Sequence, residues 1–145
     1  MRISAKGEYA IRAVLDLALH HGGGLIPIQE IAARQRIPQR YLEQVLLALK
    51  RADLLASKRG ASGGYHLTRS PEQVTVGEVL RAVEGASAPF EPQGRDRAWR
   101  DGHELVELWG AIAEAVSAVV DRLTFGELAA RVRERLSLAR PMYHI

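Results

Sequence analysis

The 145-residue chain contains no cysteine. That excludes a disulfide framework, a thiol nucleophile and a cysteine-ligated zinc or iron–sulfur centre, and it fits a reducing compartment. The chain also lacks any run near the roughly 18 uncharged apolar residues that span a bilayer. The longest apolar patches are short and cut by charges, as in Ala13-Val14-Leu15-Asp16-Leu17-Ala18-Leu19. The opening Met1-Arg2-Ile3-Ser4-Ala5-Lys6-Gly7-Glu8 has no signal-peptide apolar core. These absences lead us to expect a soluble cytoplasmic protein with no membrane partner. Lysine is scarce too: of 20 basic side chains only Lys6, Lys50 and Lys58 are lysines. Arginine's fixed fork suits phosphates and base edges, although arginine richness is also a common compositional habit. There is no internal repeat and no low-complexity segment.

What is present suffices for one folded domain, or a small domain with a helical arm. Hydrophobic residues make up 47% and charged residues 26%, enough apolar material for a core and too little charge for a disordered chain. The net charge of +3 is modest but unevenly spread. Residues 1–84 carry a net +4 and residues 85–145 a net −1. Between 34 and 69 stand Arg34, Arg36, Arg40, Lys50, Arg51, Lys58, Arg59 and Arg69 against only Glu43 and Asp53. Concentrated positive charge is the footprint of a polyanion partner or of an ordinary solvated surface, and the placement of the charges has to decide.

Apolar residues recur at helical spacing from Ala5 to His21 (Tyr9, Ala13, Leu17, widened by Ile11, Val14, Leu15 and Ala18), with Ser4 as a cap and Gly22-Gly23-Gly24 as a stop. Leu25-Ile26-Pro27-Ile28 reads as an extended connection. Gln29–Gln35 reads as a short second helix with Ile31 and Ala32 inward, and Arg36-Ile37-Pro38 as a turn. A third helix follows over Pro38–Arg51 with Tyr41, Leu42, Val45, Leu46 and Leu49 inward. The period then changes. Leu54–Arg59 and Gly64–Arg69 read as two strands around Gly60-Ala61-Ser62-Gly63. Another helix begins at Thr75 or Val76 and is closed by Gly85, and a linker without apolar period covers 85–100. Asp101–Leu123 is the longest periodic helix, with Leu105, Leu108, Ile112, Ala115, Val116, Val119 and Leu123 at 3–4 spacing. Thr124 and Glu127 form a capping box for a last helix, Phe125–Leu136. The expected organisation is a domain over 1–84, a linker over 85–100, a long helix and a short terminal helix over 101–136, and a tail over 137–145.

Three helices followed by a hairpin is the order of a winged helix–turn–helix, giving a mostly α fold with a small β wing. In such a fold the second helix of the pair enters the major groove by its N-terminal residues. Here these are Gln39, Arg40, Tyr41, Glu43 and Gln44. Arginine pairs with guanine, glutamine with adenine, and glutamate accepts from cytosine N4. A glutamate facing DNA is electrostatically costly and so points to base discrimination, unless it merely pairs with Arg40 or Arg36 on a solvent face. At the hairpin tip, Lys58 and Arg59 beside glycines can reach phosphate or a narrow minor groove. A nucleotide-binding glycine loop would instead feed a helix from a strand.

The segments Met1–Ala10, Tyr41-Leu42-Glu43-Gln44-Val45-Leu46, Lys58-Arg59-Gly60-Ala61-Ser62-Gly63-Gly64-Tyr65-His66-Leu67, Val76-Gly77-Glu78-Val79 and Thr124-Phe125-Gly126-Glu127-Leu128 resemble, in order and separation, the Rrf-two family of bacterial winged helix–turn–helix transcriptional regulators. The resemblance covers roughly residues 1–136. It implies a homodimeric regulator of iron–sulfur, cysteine or nitric-oxide metabolism whose third helix reads the major groove, with Glu43 matching a base-reading glutamate. It further implies that Arg59 matches a wing arginine placed in the minor groove, and that Asp101–Leu123 is similar to the dimer helix. Many members hold a [2Fe–2S] or [4Fe–4S] cluster through three cysteines before that helix, and some recruit a glutamate and a histidine from the first helix. This sequence departs from the pattern. Glu84–Glu107 has no cysteine, His103 is a single imidazole, and Arg12 stands at the partner position of Glu8. No cofactor and no metal are therefore expected.

The resulting assignment takes Gln39, Arg40, Glu43, Gln44 and Arg59 for base readout. Arg2, Ser4, Lys6, Tyr41, Arg51, Lys58 and Ser62 are taken for phosphate contact. Leu105, Leu108, Trp109, Ile112, Val116, Val119 and Leu123 are taken for dimerisation. Double-stranded DNA and a second copy are the expected partners, with an unidentified effector as an open addition. No catalytic residues are assigned. His20-His21 suit a helix C-terminus better than a metal, Ser62 has no nucleophile-elbow context, and no His-x3-His spacing occurs. Two alternatives stand beside this reading: a winged-helix protein-interaction module that has lost DNA readout, and a repressor answering to a small-molecule or protein effector.

Overall fold

The computed structural model describes residues 3–86, 88–90 and 103–139, with the side chain of His103 left aside. Helix α1 (Ala5–Leu19) begins where the Ser4 hydroxyl accepts the Gly7 amide at 3.1 Å, which satisfies one of the free amides of a helix start. It ends two residues before the expected His21, because the chain turns at His20 and passes through positive φ at Gly22 and Gly24. Helix α2 (Ile28–Gln35) is closed by Arg36 in the left-handed conformation (φ 52°, ψ 47°), and the buried Ile37 plugs the turn into α3 (Gln39–Arg51).

Strands β1 (Leu55–Lys58) and β2 (Gly64–Leu67) pair antiparallel from Leu55↔Leu67 to Lys58↔Gly64. Each is shorter than its six-residue sequence expectation, although the Thr68 amide still donates to the Leu54 carbonyl at 3.1 Å. The segment read as a plain connection contributes a third element, since Ile26 and Tyr65 exchange two amide–carbonyl bonds of 2.9 Å. Gly64 makes this approach possible. A Cβ there would stand 2.5 Å from the Ile26 carbonyl group, and its φ of 159° is one that side chains rarely adopt. A 3-10 turn at Pro71–Gln73, absent from the sequence reading, leads into α4 (Val76–Glu84), which is capped by the Thr75 hydroxyl on the Glu78 amide.

The core is built around α1. Ala10, Ala13, Val14, Leu17 and Ala18 meet Ile31 of α2, Leu42, Val45, Leu46 and Leu49 of α3, Leu55 and Leu67 of the wing, and Val79, Leu80 and Val83 of α4. Tyr41 is not part of it. The sequence placed this ring on the inner face, but it is 50% exposed, and the Arg40 guanidinium lies over it at 5.7 Å. Helix α5 (His103–Arg122) and helix α6 (Phe125–Ala139) follow. They behave differently. No described side chain of α5 is buried, whereas Phe125 (fully buried) and Ala129 of α6 enter the common core. Helix α6 packs on α1 and on the 3-10 turn, and Arg133 caps the C-terminus of α1 through the Leu19 carbonyl at 3.1 Å. The helix that the sequence grouped with the dimerisation arm thus closes the N-terminal core. A single buried phenylalanine anchors it there, a feature that periodicity does not reveal.

The junction between α5 and α6 is fixed by main-chain bonds. The Val76 amide donates to Leu123 and the Phe125 amide to Val74, each at 2.9 Å, around a bridge between Thr75 and Thr124. Nearby, Arg81 of α4 grips Asp121 of α5 with bonds of 2.6 and 3.0 Å.

Candidate nucleic-acid interface

Helix α3 has two faces of opposite character. Leu42, Val45, Leu46 and Leu49 are buried, while Gln39, Arg40, Glu43, Gln44, Leu47, Lys50 and Arg51 are exposed. Burying four apolar residues at i, i+3, i+4 and i+7 fixes the rotation of the helix about its axis, so the remaining positions face outward. Among the described residues Glu43 forms no ion pair, with Arg40, Arg36 or any other cation. The bland reading of Glu43 as half of a surface salt bridge is therefore not what the structure has, and its carboxylate is free to accept.

Two ion-pair systems hold the helix–turn–helix in place. The first centres on Asp16, the charge that interrupts the apolar stripe of α1 and to which the sequence pattern assigns no role. Its carboxylate is 1% exposed and accepts from Arg34 Nε and Nη2 at 2.9 Å each and from Gln35 Nε2 at 3.1 Å. This fork tethers the C-terminal turn of α2 to α1. Hydrogen bonding to Asp16 holds the Arg34 guanidinium above its ordinary pKa. The second centres on Arg12, which donates to the Gln35 carbonyl at 3.1 Å and to Glu8 Oε1 at 3.0 Å while lying over the Tyr9 ring. Both systems end at Gln35, the last residue before the turn into α3.

The wing carries Lys58, Arg59 and Ser62 at its exposed tip, closed by the Gly63 amide on the Gly60 carbonyl at 3.0 Å. At the start of α1, Lys6 is exposed. Ser4 is engaged: its hydroxyl accepts from Gly7 and donates to the Glu84 carboxylate, and its amide donates to the same Glu84 oxygen at 3.2 Å. Arg2 lies outside the described residues.

On α5 the heptad residues form an apolar stripe that is left largely open among the described residues, with Leu123 at its end packed against the core. Leu105, Ile112, Val116 and Leu123 are half-buried, while Leu108, Trp109 and Val119 are exposed, Val119 to 65%. Phe90 reaches Trp109 with ring centroids 6.2 Å apart. Among the described residues no helix is long and apolar enough to cross a membrane.

The sequence matches, over residues 3–131, the family described as "Rrf2: Iron-dependent Transcriptional regulator". The chain belongs to the Rrf2 family. It is 39% identical over 129 residues to the HTH-type transcriptional regulator IscR of Sodalis glossinidius, covering 88% of this chain and 78% of that protein. The fold is similar to that of T. potens IscR (TM-score 0.77, 30% identity, 99% of this chain and 94% of the other). It is also similar to that of CymR, the global cysteine regulator of B. subtilis (TM-score 0.74, 36% identity, 90% and 98%). The chain is thus an Rrf2-family DNA-binding transcriptional regulator with a winged-helix fold, and its relatives are regulators rather than enzymes.

The iron in the family description meets a donor set that does not fit an iron–sulfur cluster. The chain has no thiolate to offer. The Glu8 carboxylate is engaged by the Arg12 guanidinium, which as a cation with no lone pair cannot ligate a metal. Among the described residues no group of three or more His, Asp or Glu side chains is placed to hold a metal ion.

Proposed function

We propose that this Rrf2-family protein acts in the cytoplasm as a homodimer on a pseudo-palindromic operator, without an iron–sulfur cluster. The third helix of each protomer lies in the major groove and its wing in the adjacent minor groove. The observation that carries this reading is the outward face of α3, where Gln39, Arg40, Glu43 and Gln44 stand exposed and Glu43 forms no ion pair among the described residues. Gln39 and Gln44 offer amides that suit adenine, Arg40 offers a fork that suits guanine, and Glu43 an acceptor that suits cytosine N4. Arg59 at the wing tip enters the minor groove. Lys6, Tyr41, Arg51, Lys58, Ser62 and Arg2 meet phosphates, and Ser4 joins them through the end of α1 that it caps. The second copy is seated on the stripe of α5 from Leu105 to Leu123, where the exposed Leu108, Trp109 and Val119 become buried in the pair.

Selection on random double-stranded DNA, followed by anisotropy titrations at two salt concentrations, tests the reading. A sequence-selective, inverted-repeat site with half-sites about one helical turn apart is expected. Glu43→Ala broadens the accepted base at one position more than it lowers affinity, and Arg59→Ala weakens binding and relaxes A·T preference beneath the wing. Binding of random and selected DNA with equal affinity would refute the proposal and favour a protein-interaction module.

A further inference from the structure

We propose that Leu47 is a specificity-determining residue that reads a thymine through its C5-methyl group. This rests on the DNA-reading role of α3 argued above. Leu47 is 47% exposed. At 100° per residue it falls near the centre of the outward face, one turn on from Glu43 and Gln44, two turns on from Arg40 and one turn before Lys50 and Arg51. The buried Leu42, Val45, Leu46 and Leu49 lie on the opposite side. A lone surface leucine needs no explanation by itself. This one is set among the charged and amide side chains that face the groove, where every neighbour carries hydrogen-bonding groups and it carries none.

That chemistry restricts what Leu47 can face. Against a guanine, adenine or cytosine edge, the isobutyl group would strip water from donors and acceptors and return nothing. The thymine methyl is the apolar feature that base pairs present in the major groove, and packing it against leucine removes both from water. The 1.5 Å rise per residue places Leu47 about 6 Å along the helix from Glu43. At about 3.4 Å per base step the thymine it meets lies one or two steps from the base that Glu43 reads.

The test uses the full-length protein and the operator obtained by selection. Each thymine within the footprint is replaced singly by deoxyuridine, which deletes the methyl and nothing else. Dissociation constants are measured for wild type, Leu47→Ala and Leu47→Ser, with thermal midpoints confirming that these exposed substitutions leave the fold intact. Wild type is expected to lose about four-fold at one thymine per half-site, the value of one buried methyl-sized group. Leu47→Ser should bind the thymine and uracil versions of that site equally while keeping wild-type behaviour at the other thymines. Sequence-selective binding by wild type with no thymine-methyl dependence, or a thymine-to-uracil ratio unchanged in Leu47→Ser, overturns the assignment. Absence of any sequence-selective binding is a separate result, and it overturns the interface reading and this assignment together.

Discussion

Replacing Asp16 with alanine removes the acceptor of three side-chain hydrogen bonds at once, from Arg34 Nε and Nη2 and from Gln35 Nε2. Hydrogen bonds to a charged group contribute about 1.5–3 kcal/mol each when deleted singly. Compensation is large here. The substitution also removes the cost of burying the carboxylate, and the Arg34 side chain, 36% exposed, can turn to water. The net loss should be about 2–4 kcal/mol, which at about 3 °C per kcal/mol lowers the melting midpoint by roughly 6–12 °C. Arg34→Ala should cost more, about 3–5 kcal/mol, because it leaves a carboxylate that is 1% exposed with only Gln35 and its distant neighbour His20. The double variant should then cost clearly less than the two singles together. Urea unfolding followed by circular dichroism measures all four corners of this cycle. Additive singles, or an Asp16→Ala loss below about 0.5 kcal/mol, would refute the claim that this fork ties α2 to α1.

Three further outcomes are expected. Phe125→Ala should destabilise the entire protein by about 3–5 kcal/mol in a single transition, because the ring is fully buried in the core that α1 shares; calorimetry showing loss of only a local transition would contradict this. The Arg81 hydrogen bonds hold the Asp121 carboxyl below its ordinary value of 3.8, so the α4–α5 contact contributes stability above that pH and loses it as pH falls through the lowered value. Asp121→Asn should therefore flatten part of the fall in urea midpoint between pH 5 and about 3, and an unchanged slope would speak against the linkage. Gly64→Ala should destabilise by about 1–3 kcal/mol and weaken DNA binding beyond that loss, since a methyl there collides with the Ile26 carbonyl and pushes the wing from its third element; affinity equal to wild type in the folded fraction would show that the wing is dispensable.

Much of the architecture can be read from the chain because its signals are local. Ser4 and Thr124, expected as caps, accept the Gly7 and Glu127 amides, and Thr75, read only as a helix start, caps that helix through the Glu78 amide. The stripe Leu42, Val45, Leu46, Leu49 orients α3 by itself. Features that join distant parts of the sequence were not legible. Asp16 looks like a break in an apolar run until Arg34 and Gln35, 18 and 19 residues away, close on it. Phe125 opens a helix by pattern, yet its role is to bury that helix against α1. Tyr41 fits the helical period of the inner face, but position 41 falls at the edge of the buried arc, where half of the ring remains in water. By its sequence Arg12 is only a departure at a ligand position. That it instead ties Glu8 to the α2 carboxyl end depends on a contact 23 residues apart.

The hydrogen-bonded junction at Val74–Val76 and Leu123–Phe125 fastens one end of α5 to the body that carries α3. Twenty helical residues extend about 30 Å, so in the proposed dimer α5 would be a lever whose fulcrum lies on the body that carries α3. In the proposed pair of helices, each degree of tilt about that fulcrum converts to about 0.5 Å of travel at the far end. A change of roughly 6–7° between two such levers corresponds to one base-pair step of separation between the two heads. In that proposed pair, a change in how Leu108, Trp109 and Val119 pack against the second copy would act as a gear on operator spacing, without touching any of the side chains proposed to read bases.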